Sequence, residues 1–206
     1  MMEIFVSIVY VVIVIGISSI IYNKVKCRFL IRKIIHMEMA NWWLIRLQYL
    51  DSKVLWLGPA IFIIINMVIS KKFECEEGIV HFSISLTVFT LLSMTSDTYV
   101  FPSTAAVMVL GYADPIAALV GRGRQIKQNL RYEKSFVGSM VFGCIAFIVL
   151  LIVCRLYDVH ISIFSMIIIS VLTAFSEAKI FSRFDNIVIP TVIFVALLVI
   201  CEKNTL

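Results

Sequence analysis

The sequence predicts an all-α fold, a polytopic membrane helix bundle of about seven to eight transmembrane helices. Three observations carry that expectation. The 206 residues are 61% hydrophobic and only 15% charged, where a soluble domain is about half apolar and about a quarter charged. Mean hydropathy is +1.02. The apolar runs approach or reach the roughly 17–25 residues that a helix needs to cross a bilayer.

The runs follow in order. Ile4–Tyr22 holds no charge, follows the acidic Glu3 and precedes a basic cluster. That order reads as a membrane anchor with its N-terminus outside rather than as a cleaved signal, which begins with positive charge. Ile35–Leu50 is apolar but carries His36, Glu38 and Arg46; it counts as a second span. Val54–Ser70, Ile79–Met94 and Thr98–Ala113 come next, the last extending to Val120 if its helix continues past Asp114. Phe136–Val153, Ile161–Ser176 and Ile187–Cys201 complete the set.

Charge gives these runs a direction. With the N-terminus outside and eight spans, the inner loops collect fourteen of the 18 Lys and Arg residues. Lys24 to Lys33, Lys71, Lys72, Arg122 to Lys134, Lys179 and Arg183 lie inside; Arg46, Lys53, Arg155 and Lys203 do not. Such a bias sets orientation, and removing one span would divide the basic loops between both faces. The net charge of +5 therefore serves topology and the attraction of phosphates at a membrane surface, and no nucleic-acid partner is expected.

No Gly/Ser/Pro linker, low-complexity tail or fixed-period repeat interrupts the chain, so residues 1–206 read as one integral membrane domain. The five cysteines, Cys27, Cys75, Cys144, Cys154 and Cys201, make no C-x-x-C pair. They read as small apolar residues rather than as a disulfide framework or zinc site.

Polar residues gather where spans meet the inner face: "RKIIH" (32–36), "ADP" (113–115), "GRGR" (121–124), "EKSFVGS" (133–139), "SEAK" (176–179) and "FDN" (184–186). Ionisable residues at such places are functional candidates by default. Each also has a plain reading. Arg32 and Lys33 serve as topology anchors, His36 as an interfacial histidine, and Asp114-Pro115 as the cap and first residue of a new helical turn. Glu177 needs a partner at the end of an apolar run. Together, the residue types suit phosphoryl transfer. Carboxylates hold a divalent metal, Lys and Arg neutralise phosphate, and small residues at a helix N-terminus let backbone N–H groups reach phosphate oxygens. No P-loop or protein-kinase motif set is present.

Three of these blocks, in order over roughly residues 30–190, resemble the membrane lipid-alcohol kinases: dolichol kinase, phytol and farnesol kinases, and the yeast-type CTP-dependent diacylglycerol kinase. "ADPIAALVGR…KSFVGS" resembles their D-P-x-A-A-x-x-G-[RK] and K-S-x-E-G-S, "RKIIH" their R-K-x-x-H, and "SEAKIFSRFDNIVIP" their E-x-x…D-N-x-x-x-P. The resemblance implies transfer of the γ-phosphate of a nucleotide, CTP above all, to the hydroxyl of a membrane lipid at the cytoplasmic face, with Mg²⁺. It implies Asp114, Lys134, Glu177 and Asp185 as catalytic residues, with Asp114, Glu177 and Asp185 as metal ligands. Arg32, Lys33, His36, Gly121, Arg122, Ser135, Gly138, Ser139 and Asn186 would bind nucleotide and phosphate, and Pro115 and Pro190 match the same blocks. The family glutamate of K-S-x-E-G-S is Val137 here, which leaves Glu133 as a substitute carboxylate or points to an inactive relative. The rival readings are a cytidylyltransferase making CDP-diacylglycerol and a non-catalytic membrane binding or transport protein.

Overall fold

The structure, a computed structural model, describes residues 2–49, 52–73, 78–122, 135–179 and 184–204. Eight α-helices fill them: α1 Met2–Val25, α2 Arg28–Gln48, α3 Leu57–Phe73, α4 Gly78–Thr95, α5 Val100–Arg122, α6 Phe136–Leu156, α7 Ile163–Lys179 and α8 Asp185–Asn204. A 3₁₀ turn, Asp97–Tyr99, leads into α5. The described residues contain no strand, and the described cysteines form no disulfide.

Five helices are long and apolar enough to cross a membrane: α1, α4, α5 with its 3₁₀ turn, α6 and α8. α3 adds a shorter apolar stretch, Leu57–Val68. The other two of the eight expected spans, α2 and α7, fall short for a physical reason. α7 has 17 residues and ends in Glu177 and Lys179. α2 is long enough, since its 21 residues rise to about 31 Å at about 1.5 Å each. It is polar instead, and its neighbours house that polarity. α1, α4 and α5 pack around it, and Ala40, Trp42, Trp43 and Arg46 are completely buried. The indole of Trp43 donates to Thr104 Oγ1 at 2.9 Å and that of Trp42 to Ser7 Oγ at 3.1 Å, while Arg46 Nη2 donates to the Ser93 carbonyl at 3.1 Å.

α5 is the hub, touching α2, α4, α6 and α8. Its buried Ser103, Thr104, Ala105 and Ala106 are the small residues that let helices approach closely. At Gly111 a side chain would collide with the Cβ of Ala40 on α2, so this crossing tolerates only glycine.

The helix does not end at Asp114. α5 runs through to Arg122 with Pro115 inside it, which overturns the cap reading of Asp114-Pro115. An interior proline costs an isolated helix about 3 kcal/mol and strips the carbonyl four residues earlier of its donor; packing against four neighbours outweighs that local penalty. α8 repeats the device and shows its repair. Pro190 lies within the helix and frees the Asn186 carbonyl, which then accepts a 2.6 Å hydrogen bond from Ser85 Oγ on α4. The spacing of asparagine and proline in "DNIVIP" therefore ties α8 to α4.

Candidate functional site

Four contacts, three of them between helix termini, define one end of the bundle. Ser135 Oγ donates to the Gly121 carbonyl at 3.2 Å, joining the start of α6 to the end of α5. Ser139 Oγ donates to Glu177 Oε2 at 2.6 Å, joining α6 to the end of α7. Asn186 Nδ2 donates to the Gly78 carbonyl at 2.7 Å, joining the starts of α8 and α4. Lys33 Nζ lies 2.6 Å from Asp114 Oδ2, joining α2 to α5. All the described polar blocks singled out in the sequence thus occupy the same end, Asp114 and Glu177 included.

The Lys33–Asp114 pair is a largely buried ion pair, with side chains 9% and 13% exposed. Lys33 is 7% and His36 3% exposed. They sit three residues apart, on one face of α2, and His36 Nδ1 is 3.5 Å from the same Asp114 oxygen. Buried charges persist when paired, and Lys33 neutralises Asp114 here. The His36 ring packs 4.0 Å from that of Phe82 by centroids, and its Nε2 is buried with no hydrogen-bond partner. Arg32 lies with its guanidinium carbon 5.8 Å over the ring of Phe29.

Glu177 is 5% exposed. Its 2.6 Å bond from Ser139 has the length of a charge-assisted O–H···O⁻ contact. This carboxylate is held by a hydroxyl where Asp114 is held by an ammonium.

The N-terminus of α6 is the third feature. Ser135 is its N-cap, and its Oγ accepts from the Gly138 N–H at 3.1 Å. A Cβ on Gly121 would lie 2.6 Å from Ser135 Oγ and 3.0 Å from Gly138 Cα. The two glycines therefore bring α5 and α6 together here, at a helix N-terminus of the kind that attracts anions, with the Gly138 N–H already taken by Ser135. Val137, in that turn, is 57% exposed and supplies no charge.

Asp185 and Asn186 open α8 and are buried. Lys134 and Glu133 lie outside the described residues, and so does the side chain of Arg122, the last residue of α5. Among the described residues no three His, Cys, Asp or Glu side chains come together to hold an ion. Asp114 and Glu177 instead meet Lys33 and Ser139.

The motif search passed over a second polar chain. Tyr10 Oη donates to Glu38 Oε2 at 2.9 Å, Asn41 Nδ2 donates to the same oxygen at 3.2 Å, and Tyr112 Oη donates to Asn41 Oδ1. It runs from α1 through α2 to α5 and ends two residues before Asp114. Its trace in the sequence is slight, a Glu and an Asn three apart in an apolar run and a Tyr beside "ADP".

No family model, curated protein or solved structure matches the chain, so its chemistry is read from its own residues.

Proposed function

We propose that the protein is a multi-pass membrane lipid kinase, transferring the γ-phosphate of a nucleotide, CTP by its resemblance, to the hydroxyl of a polyprenol, prenol or diacylglycerol-type lipid at the cytoplasmic face. The observation that carries this reading is the gathering, at one bundle end, of an ammonium–carboxylate pair, a hydroxyl–carboxylate pair and a capped helix N-terminus flanked by closely packed glycines. Basic residues concentrated in the loops of that same side support its cytoplasmic placement.

In this reading the lipid oxygen attacks the γ-phosphorus, the bond from that phosphorus to the β–γ bridging oxygen breaks, and the nucleoside diphosphate leaves. The hydroxyl proton passes to a carboxylate. Glu177 suits that role, because its Oε2 already accepts an O–H hydrogen bond. Asp114 holds Lys33 in an ion pair, with His36 alongside, near the phosphates, and the α6 N-terminus with Arg122 and Lys134 completes phosphate binding. Asp185 and Asn186 hold α8 in place beside them. Such catalysis is mostly positioning and charge stabilisation. The described residues do not build a metal site by themselves, so Mg²⁺ would come in on the nucleotide, held by its phosphates.

One observation favours a non-catalytic binding protein instead: the apolar, exposed Val137 stands where the kinases carry glutamate. Purified protein in lipid discs, given Mg²⁺, γ-labelled CTP or ATP and a panel of lipid alcohols, decides the matter. The kinase reading expects labelled lipid phosphate, and Asp114→Asn and Glu177→Gln each lowering the rate by about a hundredfold or more, the scale of a positioned acid–base group, with normal membrane insertion. Pyrophosphate release with phosphatidate and CTP would identify a cytidylyltransferase. Nucleotide and lipid binding without transfer to any acceptor would leave the binding protein.

A further inference from the structure

α2 is walled by α1, α4 and α5, and the side it turns away from them carries a pattern. Ala40, Trp43 and Arg46 mark its completely buried side. On the opposite side Ile34, Met37 and Asn41 are partly exposed, Leu44 is 50% exposed and Gln48 is exposed. These positions follow one another at alternating steps of three and four residues, the spacing of a seam between two helices. The seam is apolar at Ile34, Met37 and Leu44 and polar at Asn41. Beside Asn41 stands Glu38, the central residue of the 21 in α2, about 15 Å from either helix end at about 1.5 Å per residue. Its carboxylate is oriented from within. Tyr10 Oη and Asn41 Nδ2 both donate to Oε2, at 2.9 and 3.2 Å, and Tyr112 Oη donates to Asn41 Oδ1. Oε1 meets no donor among the described residues, and the Asn41 amide keeps a second N–H. The seam therefore presents one acceptor and one donor, and hydrocarbon would satisfy neither.

We propose that this seam of α2 is an interface between two copies of the chain, packed in parallel about a two-fold axis, with Asn41 of each copy donating to Glu38 of the other. Three features choose a second copy as the occupant. A donor and an acceptor side by side on one seam are self-complementary, which is what a two-fold contact requires. Copies held in one orientation by their basic loops set position 41 opposite position 41 at equal depth. A single asparagine at such a core position specifies register and pairing, and asparagine side chains hydrogen-bond between helices in lipid. Lipid chains would leave the donor and the acceptor unmet. The proposal asks nothing of the phosphoryl-transfer reading and stands or falls apart from it.

The test uses the full chain in liposomes, with Leu44→Cys and a mild oxidant, and reads covalent dimer on a non-reducing gel against the parent chain, whose own cysteines set the background. Leu44→Cys should give covalent dimer well above that background. Ile64→Cys on α3 and Val171→Cys on α7, at 65% and 60% exposed positions, should not exceed it. Förster transfer between donor-labelled and acceptor-labelled copies, followed as lipid is added, gives the dissociation constant. Asn41→Leu removes its bond twice in a two-fold dimer and should raise that constant by about tenfold. Leu44→Trp obstructs the same seam without touching a side-chain hydrogen bond inside the chain, and should raise it at least as much. No excess dimer from Leu44→Cys, equal dimer from either control cysteine, or a dissociation constant that neither Asn41→Leu nor Leu44→Trp changes would each overturn the proposal.

Discussion

The α2–α5 and α6–α7 contacts each bury a carboxylate at the same end of the bundle, and they do so by opposite means. Between α2 and α5 the backbones nearly touch at Ala40 and Gly111, and Asp114 is locked to Lys33 with His36 alongside. Between α6 and α7 the helices touch at Gly143 and Ala174 but open into a groove, and Glu177 is held by a neutral hydroxyl. A full charge pair in a sealed contact is rigid and costly to disturb. The first contact fixes a charge pair between its helices, and the second leaves a carboxylate beside a groove.

The largest expected effect breaks the sealed side. Lys33→Met strands the Asp114 carboxylate in a buried place, and removing one partner of a buried pair costs about 3–5 kcal/mol. Thermal unfolding in detergent should show that loss, and the double substitution Lys33→Met with Asp114→Leu should restore most of it, since an apolar replacement of a whole buried pair is often neutral. A single variant as stable as the parent would mean that Asp114 is compensated by something other than Lys33.

A smaller effect is expected on the open side. Ser139→Ala deletes one hydrogen bond to a charged group, worth about 1.5–3 kcal/mol, and Glu177 retains a further interaction. Its melting temperature should therefore fall less than that of Lys33→Met under the same conditions. The reverse order would erase the distinction between a sealed and an open contact. The smallest effect concerns Val137→Glu. The site is exposed in the first turn of α6, where a carboxylate meets a favourable dipole. Stability should change by no more than about 0.5 kcal/mol, and phosphoryl transfer should rise if that carboxylate is what the open side lacks. An unchanged or lower rate would show that Val137 is not the missing element.

Much of this was legible in one dimension. Apolar runs and their spacing located all eight helices, because burial in lipid or in a helical core leaves a local, additive mark on composition. The polar blocks at 32–36, 113–122, 133–139 and 176–190 were legible as belonging together, since alternating spans carry them to one side. The helical nature of 114–122 was legible only as one of two readings. Pro115 is a local stop signal, and only the packing of α5 against four other helices overrides it.

The choice of partners was likewise a tertiary matter. Nothing in the composition of "RKIIH" says that Lys33, rather than Arg32, meets Asp114 across 81 residues of chain, or that α2 can keep Arg46 wholly buried. The described carboxylates likewise do not gather into one group of three, because sharing an end of a bundle does not by itself bring side chains on different helices together. Hydropathy and periodicity are properties of neighbours in sequence, and they determined which segments are helical and which end of the bundle is polar. Charge pairing and groove shape depend on the rotation of each helix about its axis and on how closely glycine and alanine let two helices approach, and only the folded packing decided those.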